Sequence, residues 1–407
     1  MIKKQLVYSE YSKWRFDVSR AQGEFLWDSE GKKYIDFTSG WNVTNLGWNH
    51  PEITQALVVQ AKKSNYVPMW TADPMQNEYA KTLTNSLPKG LDTVLRATGG
   101  TEANEEALKT ARAYTEREII VGFKNTYHGQ SFGTLAIGNI PQNLSAISPV
   151  VGGFRHIEFP RTDKSKDDKQ VLNDFEEVLD KALSKKDVAA IVAEAGIITG
   201  WGSTYVAPMG FLKLLREKTK QYSSLLILDE VGTGFSRCGK LFGMQIEEVT
   251  PDIVTFAKGI SNGAAAIGAT VTTNKIAEKG SPKARIVSTF GWLPTACAVT
   301  SKTLEIHKRD KVWEKAKKDG RYIIQSLQRE LKKNGSVVEV RGIGMEIGVE
   351  LKEEKTAVNV VAEAERKGLH LVSDTDRNIQ LMPPLTIPRS SLDKGIDILV
   401  STINRFA

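Results

Sequence analysis

Five short apolar runs in this chain end in residues able to do chemistry. TVLRAT (93–98) is followed by Gly99-Gly100-Thr101-Glu102-Ala103-Asn104, which opens a helical pattern with Ala103, Ala107 and Ala111 on one face. Two glycines and a threonine at a helix start offer free N–H groups, a hydroxyl and the positive end of the helix dipole, a cradle for an anion. EIIVGF (118–123) leads into Lys124-Asn125-Thr126-Tyr127-His128-Gly129, which brings an aromatic face. AAIVAE (189–194) ends on Glu194, LLILDE (225–230) carries Asp229 and Glu230, and DIVTFAK (252–258) ends on Lys258. Each has an ordinary structural reading alone: a helix cap, a buried Tyr127, a hydrogen-bonded His128, an exposed lysine. Their recurrence at strand ends is what points to chemistry.

Short continuous apolar runs are the mark of strands buried on both faces, as in a parallel sheet. The segments between them are helical. In VLNDFEEVLDKALSK, Val171, Leu172, Phe175, Val178, Leu179, Ala182 and Leu183 fall on one helix face, and Pro208 precedes another helix with Phe211, Leu212, Leu214 and Leu215. Alternating strand and helix predicts a mainly parallel α/β sheet, and ligands of such sheets sit at the strands' carboxyl ends. After residue 295 the texture changes to polar helices, then short strands near 337–341, 345–351, 369–372 and 379–382, with helices over 356–367 and 390–405. EFLWDSEGKKYIDF reads as a hairpin turning at Glu30-Gly31 that packs with this C-terminal part. The expected organisation is a large α/β domain (45–294) and a small α+β domain built from both termini (1–44 and 295–407).

The assembled rim would hold a phosphate cradle, an aromatic plate, carboxylates and a lysine, the set that pyridoxal phosphate requires. Its phosphate suits a helix start, its ring an aromatic face, its ring nitrogen a carboxylate and its aldehyde a lysine.

Composition excludes other classes. Of 407 residues, 41% are hydrophobic and 25% charged, an ordinary globular balance. The net charge of +7 is spread over interleaved acids and bases, as in KSKDDK (164–169), with no basic stripe carrying aromatics; no nucleic-acid partner is expected. Cys238 and Cys297 have no metal-ligand spacing, and no apolar run approaches the ~20 residues that span a bilayer. A cytoplasmic enzyme with no metal and no membrane partner is the expectation. Two glycine patterns mislead. Gly234 to Lys240 matches a phosphate loop, but Leu241 stands where a hydroxyl must hold magnesium; Gly342-Ile-Gly344-Met-Glu-Ile-Gly348 misses the dinucleotide spacing by one residue.

Nearly the whole chain resembles the class III aminotransferases of fold type I, the group with ornithine, 4-aminobutyrate and ω-amine transaminases. The resemblance lies in FLWDSEGKKYIDFTSGWNVTNLGWNHPEI, TGGTEANEEALKTAR, NTYHGQSFGTLA, LLILDEVGTGFSRCGKLFG, PDIVTFAKGISNG, STFGWLPTACA and IQLMPPLTI. It implies that Lys258 is the Schiff-base lysine and proton shuttle, that Asp229 pairs with the ring nitrogen, that Tyr127 stacks on the ring and that Gly100 and Thr101 bind the phosphate. It further implies that Thr289 reaches the phosphate of a neighbouring subunit in a homodimer with shared sites, and that Glu194 orients the inner site.

Departures from the family pattern concern substrate. Gly232 stands where many members place a glutamine, Thr199 where ornithine-type enzymes carry a glutamate, and Gln130 and Gln380 where they carry carboxylate-binding arginines; Trp41 replaces a small aliphatic residue near the entrance. Arg389, six residues after the first proline of the PPL segment, matches the arginine of amine:pyruvate-type members. The resemblance therefore implies ping-pong transamination between a primary amine or ω-amino acid and a 2-oxo acid of the pyruvate kind. A pyridoxal-phosphate aminomutase or racemase of the same family is the alternative, and a cofactor-binding relic the non-enzymatic one.

Overall fold

The computed structural model describes residues 16–71, 73–140, 144–145, 147–162, 166–200, 204–373 and 377–406. The chain opens with β1 (Val18–Gln22), β2 (Phe25–Asp28) and β3 (Lys33–Asp36), then α1 (Pro51–Ala61) and α2 (Pro74–Thr84). Next come β4 (Thr93–Ala97), α3 (Gly100–Thr115), β5 (Ile119–Phe123), α4 (Phe132–Gly138), β6 (Phe154–Ile157), α5 (Asp168–Leu183), β7 (Val188–Glu194), α6 (Phe211–Gln221), β8 (Leu225–Asp229), β9 (Ile253–Phe256), β10 (Gly268–Thr272) and α7 (Asn274–Ala284). The C-terminal part holds α8 (Pro294–Arg309), α9 (Val312–Glu330), β11 (Val337–Ile343), β12 (Glu346–Leu351), α10 (Glu354–Arg366), β13 (Leu369–His370), β14 (Val372–Ser373), β15 (Asn378–Leu381) and α11 (Arg389–Arg405).

Strands β4 to β10 form one seven-stranded sheet in the order β4-β10-β9-β8-β7-β5-β6. The five apolar runs are all strands of it. β5 to β9 run parallel, whereas β10 is antiparallel to both β4 and β9. β6, whose sequence Phe-Arg-His-Ile lacks an apolar run, pairs with β5 at the sheet edge. The chain steps outward from β5 to β6 and then returns to the other side of β5 with β7, so strand order reverses there. A crevice at such a reversal is where α/β sheets bind ligands.

Helix α5 buries Val171, Phe175, Leu179, Ala182 and Leu183, while Val178, read with that face, is 40% exposed. Phe175 packs on Phe123 and Phe211 with ring centroids 5.6–6.0 Å apart, tying α5 and α6 to the sheet. A second core unites Ile35, Phe37 and Leu46 near the N-terminus with Val349, Val360, Leu381 and Leu399 near the C-terminus. The expected hairpin is β2–β3, and β3 pairs in parallel with β13, which ties it to the C-terminal part.

Candidate active site

Strand register assembles the site. Glu194 is opposite Asp229 across β7 and β8, and Asp229 is opposite Thr255 across β8 and β9, so three strand ends lie in one row. Lys258 follows Thr255 by three residues, at the start of a short helical turn, with φ of +50°. A left-handed lysine costs about 1–3 kcal/mol and persists only where its surroundings hold it. Together with Gly100, Thr101 and Tyr127 these ends line a cavity of about 410 Å3.

Asp229 is 3% exposed. Its Oδ1 accepts from the Val231 N–H at 2.9 Å, and its Oδ2 accepts from Asn104 Nδ2 at 2.8 Å and from His128 Nδ1 at 2.7 Å. Asn104 is itself held by the Thr255 hydroxyl, 2.7 Å from its Oδ1, and by the His128 carbonyl, 2.8 Å from its Nδ2. Burial alone would push the His128 pKa down. The hydrogen bond and charge of Asp229, with the field of Glu194, outweigh it, so the imidazole lies above its ordinary value. Asn104 and His128 position Asp229; the sequence reading gave His128 as a hydrogen-bonded residue but did not single out Asn104. Their signal was available in their places, one on the first turn of α3 and one beside Tyr127.

Glu194 is buried and lifted to about 7, first by burial and then by the charge of Asp229. Its Oε2 accepts from the Thr199 N–H at 2.8 Å and from the Thr199 hydroxyl, while Oε1 has no partner among the described residues. The Thr101 hydroxyl accepts from the Gln130 N–H at 3.2 Å, which joins the start of α3 to the Tyr127 loop. Gly129 has φ of +143°, and a Cβ there would stand 2.6 Å from the Thr101 Oγ1; only glycine lets the two segments approach this closely. Gln130 therefore serves the loop, and its Nε2 also donates to the Tyr127 hydroxyl at 3.2 Å.

Gly232 and Thr199 are coupled. A Cβ at 232 would lie 2.0 Å from Thr199 Oγ1, so the threonine fills the space that any larger residue at 232 would need. Gln380 is fully buried and donates to the Thr199 carbonyl at 2.8 Å and to Glu346 Oε1 at 2.6 Å. Glu346, inside one of the misleading glycine patterns, is a further residue the sequence did not single out.

Three of the expected residues stand away from the cavity lining. Trp41 lies half-buried on a left-handed turn in which Ser39, Gly40, Trp41 and Asn42 all have positive φ, and Val43, next along, reaches the cavity. Thr289 is exposed on the loop before α8. Arg389 is engaged elsewhere in this structure. Its guanidinium lies 2.8 Å from Asp319 and 3.7 Å from the Tyr322 ring centroid, so here it clamps α11 to α9 rather than facing substrate. A desolvated carboxylate and an aromatic face on α9 satisfy it more fully than an open cavity does.

The family profile Aminotransferase class-III matches residues 7–403. The chain belongs to the class III aminotransferases. An acetylornithine aminotransferase of Methanothermobacter thermautotrophicus is 31% identical over 403 residues, covering 99% of this chain and 97% of that protein. One from Streptococcus mutans is 32% identical over 394 residues, with 97% of each covered. Among solved structures, the (S)-enantioselective ω-transaminase of Thermomicrobium roseum superposes with a TM-score of 0.92 at 30% identity, covering 99% of this chain and 96% of that one. The ornithine aminotransferase of Toxoplasma gondii gives 0.89 at 26%, covering 99% and 92%.

The cofactor of this aminotransferase is pyridoxal phosphate, and the residues present fit it. The glycine approach at Gly129 leaves the start of α3 open for a phosphate, the buried Asp229 offers negative charge, and Lys258 enters the same cavity. Among the described residues no helix is long and apolar enough to cross a membrane, and no cluster of side chains could hold a metal ion.

Proposed function

We propose that this class III aminotransferase moves an amino group between a primary amine or ω-amino acid and a 2-oxo acid of the pyruvate kind, by ping-pong exchange. The observation that carries the substrate reading is the chain Thr199–Gln380–Glu346, which stands where a clamp for an amino acid's carboxylate would otherwise be. Without a guanidinium there, a donor carboxylate would lose its hydration uncompensated, at a cost of several kcal/mol. The relatives named acetylornithine aminotransferase support amino transfer but leave the donor open.

When bound, the cofactor supplies an aldehyde for the incoming amine and a ring that withdraws electrons from the donor's Cα. Lys258 Nζ takes the proton from that Cα, and Asp229 holds a proton on the ring nitrogen. Asn104 and His128 keep the Asp229 carboxylate oriented, Tyr127 covers the ring, and Gly100 and Thr101 bind the phosphate.

Two chains would share their sites, with Thr289 completing the phosphate site of the partner. Exposed Val287 and Phe290 on the same loop, and exposed Trp70, favour that pairing. The division into a large unit (45–294) and a small unit (1–44 and 295–407) is part of the same proposal; the core that joins Ile35 and Phe37 to Val349 and Leu399 supports a small unit built from both ends of the chain. A cytoplasmic setting accords with two buried, unpaired cysteines.

The test is a half-reaction screen that follows bleaching of the holoenzyme's visible absorbance with a panel of amines, ω-amino acids and α-amino acids. Amines should react fastest, and pyruvate should restore the absorbance. Fastest reaction with an α-amino acid would overturn the donor reading, and isomerised substrate without any need for an acceptor would favour an aminomutase or racemase.

A further inference from the structure

The wall of the cavity formed by Glu194 and Thr199 is backed by a buried polar chain. The Asn42 Nδ2 donates to Glu346 Oε2 at 2.7 Å, Gln380 Nε2 donates to Glu346 Oε1 and to the Thr199 carbonyl, and the Thr199 N–H donates to Glu194 Oε2. With both its partners acceptors, the Gln380 amide is fixed with its oxygen outward from them. The spare atoms of this chain are all acceptors: Asn42 Oδ1, Gln380 Oε1 and Glu194 Oε1 are buried and receive no hydrogen bond among the described residues. Two carboxylates belong to it, Glu346 and Glu194, 0% and 4% exposed.

Among the described residues, three cations face this region. Lys258 belongs to the cofactor site, and His128 is committed to Asp229. Buried Arg237 lends Glu346 part of its field, but its hydrogen bonds go to the carbonyls of Met345 and Pro383 and to the Asn45 and Ser39 side chains. Among the described residues no guanidinium lines the cavity. In a low-dielectric site two buried carboxyls, one of them with an unpaired oxygen at Glu194 Oε1, favour a cation that relieves the cost of ionising them, and they disfavour a second carboxylate.

We propose that the preferred amino donor carries a second cationic group, as an α,ω-diamine does, received at the Glu194–Thr199 wall with Glu346 as the positioning residue behind it. One ammonium enters the reaction while the other replaces the missing donors of the acceptor chain. This rests on the reading of the enzyme as an amine transaminase and narrows it to one donor class. Under it, a monoamine leaves the carboxylates uncompensated, and an ω-amino acid places like charge against them.

The test compares matched donors on the holoenzyme: ethylenediamine, putrescine and cadaverine against butylamine and γ-aminobutyrate, by single-turnover bleaching. At the best chain length the diamine should exceed butylamine in kcat/KM by about tenfold or more. Glu346→Gln should lower the diamine value about fivefold or more relative to the butylamine value, because the second charge loses its partner. A purely structural role would lower both together. Gln380→Arg, which sets a guanidinium beside Glu346, should move the preference toward γ-aminobutyrate. A second readout needs no turnover: tetramethylputrescine, which has both charges but no transferable amine, should raise the holoenzyme's Tm more than dimethylbutylamine does. Equal diamine and monoamine values at every length, or a ratio that neither variant moves, would overturn the proposal. Failure of every donor to bleach the enzyme would instead overturn the transaminase reading, and the Tm comparison would still decide the diamine site.

Discussion

At the scale of single residues, Lys258 and Asp229 are proposed to carry the chemistry for different reasons. Lys258→Ala should abolish turnover with every donor, since among the described residues no other lysine lines the cavity and an amine is needed both to hold the cofactor and to move the Cα proton. Steady-state transamination at the parent's rate would refute this. Asp229→Asn should retain some cofactor yet slow the half-reaction by about a thousandfold or more, because a neutral amide cannot hold the ring proton. The amide has a second defect here. Asn104 and His128 both donate to one oxygen and the Val231 N–H donates to the other, so an NH2 group must meet a donor on one side. Arg389→Ala is expected to leave the KM for pyruvate within about twofold, since its guanidinium is engaged by Asp319 and Tyr322. A rise of about tenfold would show that the side chain leaves that clamp to reach the acid.

Between elements, the strand ends and the loops that follow them are fitted to each other at the level of one carbon atom. Gly232, after β8, and Thr199, after β7, share a space that holds one side chain. Gly232→Ala should therefore cost about 1–3 kcal/mol through overpacking, seen as a lower Tm of the holoenzyme. Thr199→Gly, which vacates the space, should be less damaging in the Gly232→Ala background than in the parent. The cycle should show a coupling of about 1 kcal/mol or more, as expected for residues in direct contact. Additive effects would mean that the loops move apart rather than overlap.

For the molecule as a whole, buried carboxylates make stability depend on pH in a direction opposite to the usual one. Burial raises Glu346 from 4.5 to about 7, partly offset by the charge of Arg237 and the hydrogen bonds of Gln380 and Asn42. Because the unfolded chain gives up this proton first, the group costs nothing below 4.5 and an increasing amount as pH rises to about 7, above which the cost is constant. Glu346→Gln removes that dependence. Its Tm relative to the parent should therefore climb across this interval and level off above it; a constant difference at all pH values would show that Glu346 is not held against ionisation. The His128–Asp229 pair behaves differently. His128 is raised, so its contribution is full below 6.5 and fades as pH rises through its folded value, in parent and variant alike.

The apolar runs and their residues at the ends determined, from sequence alone, a parallel sheet with an anion cradle, carboxylates and a lysine on one rim. This was legible because a buried strand demands continuous apolar residues, and because polar groups at its end stand out against them. Tyr127, Glu194, Asp229 and Lys258 were found in this way, and they line one cavity. Tertiary structure alone decided what surrounds them. β6 has no apolar run to announce it, and the antiparallel direction of β10 depends on neighbours distant in sequence. That His128 bonds Asp229, that Thr199 fills the place of a side chain at Gly232, and that Glu346 meets Gln380 are contacts between residues 33 to 101 positions apart. No local pattern encodes such meetings, because each is set by which strand ends the folded sheet brings side by side. Arg389 shows the same limit from the other direction: its spacing from the PPL segment matched it to an arginine of amine:pyruvate-type members, and only the packing of α9 against α11 supplied the carboxylate and ring that hold it here.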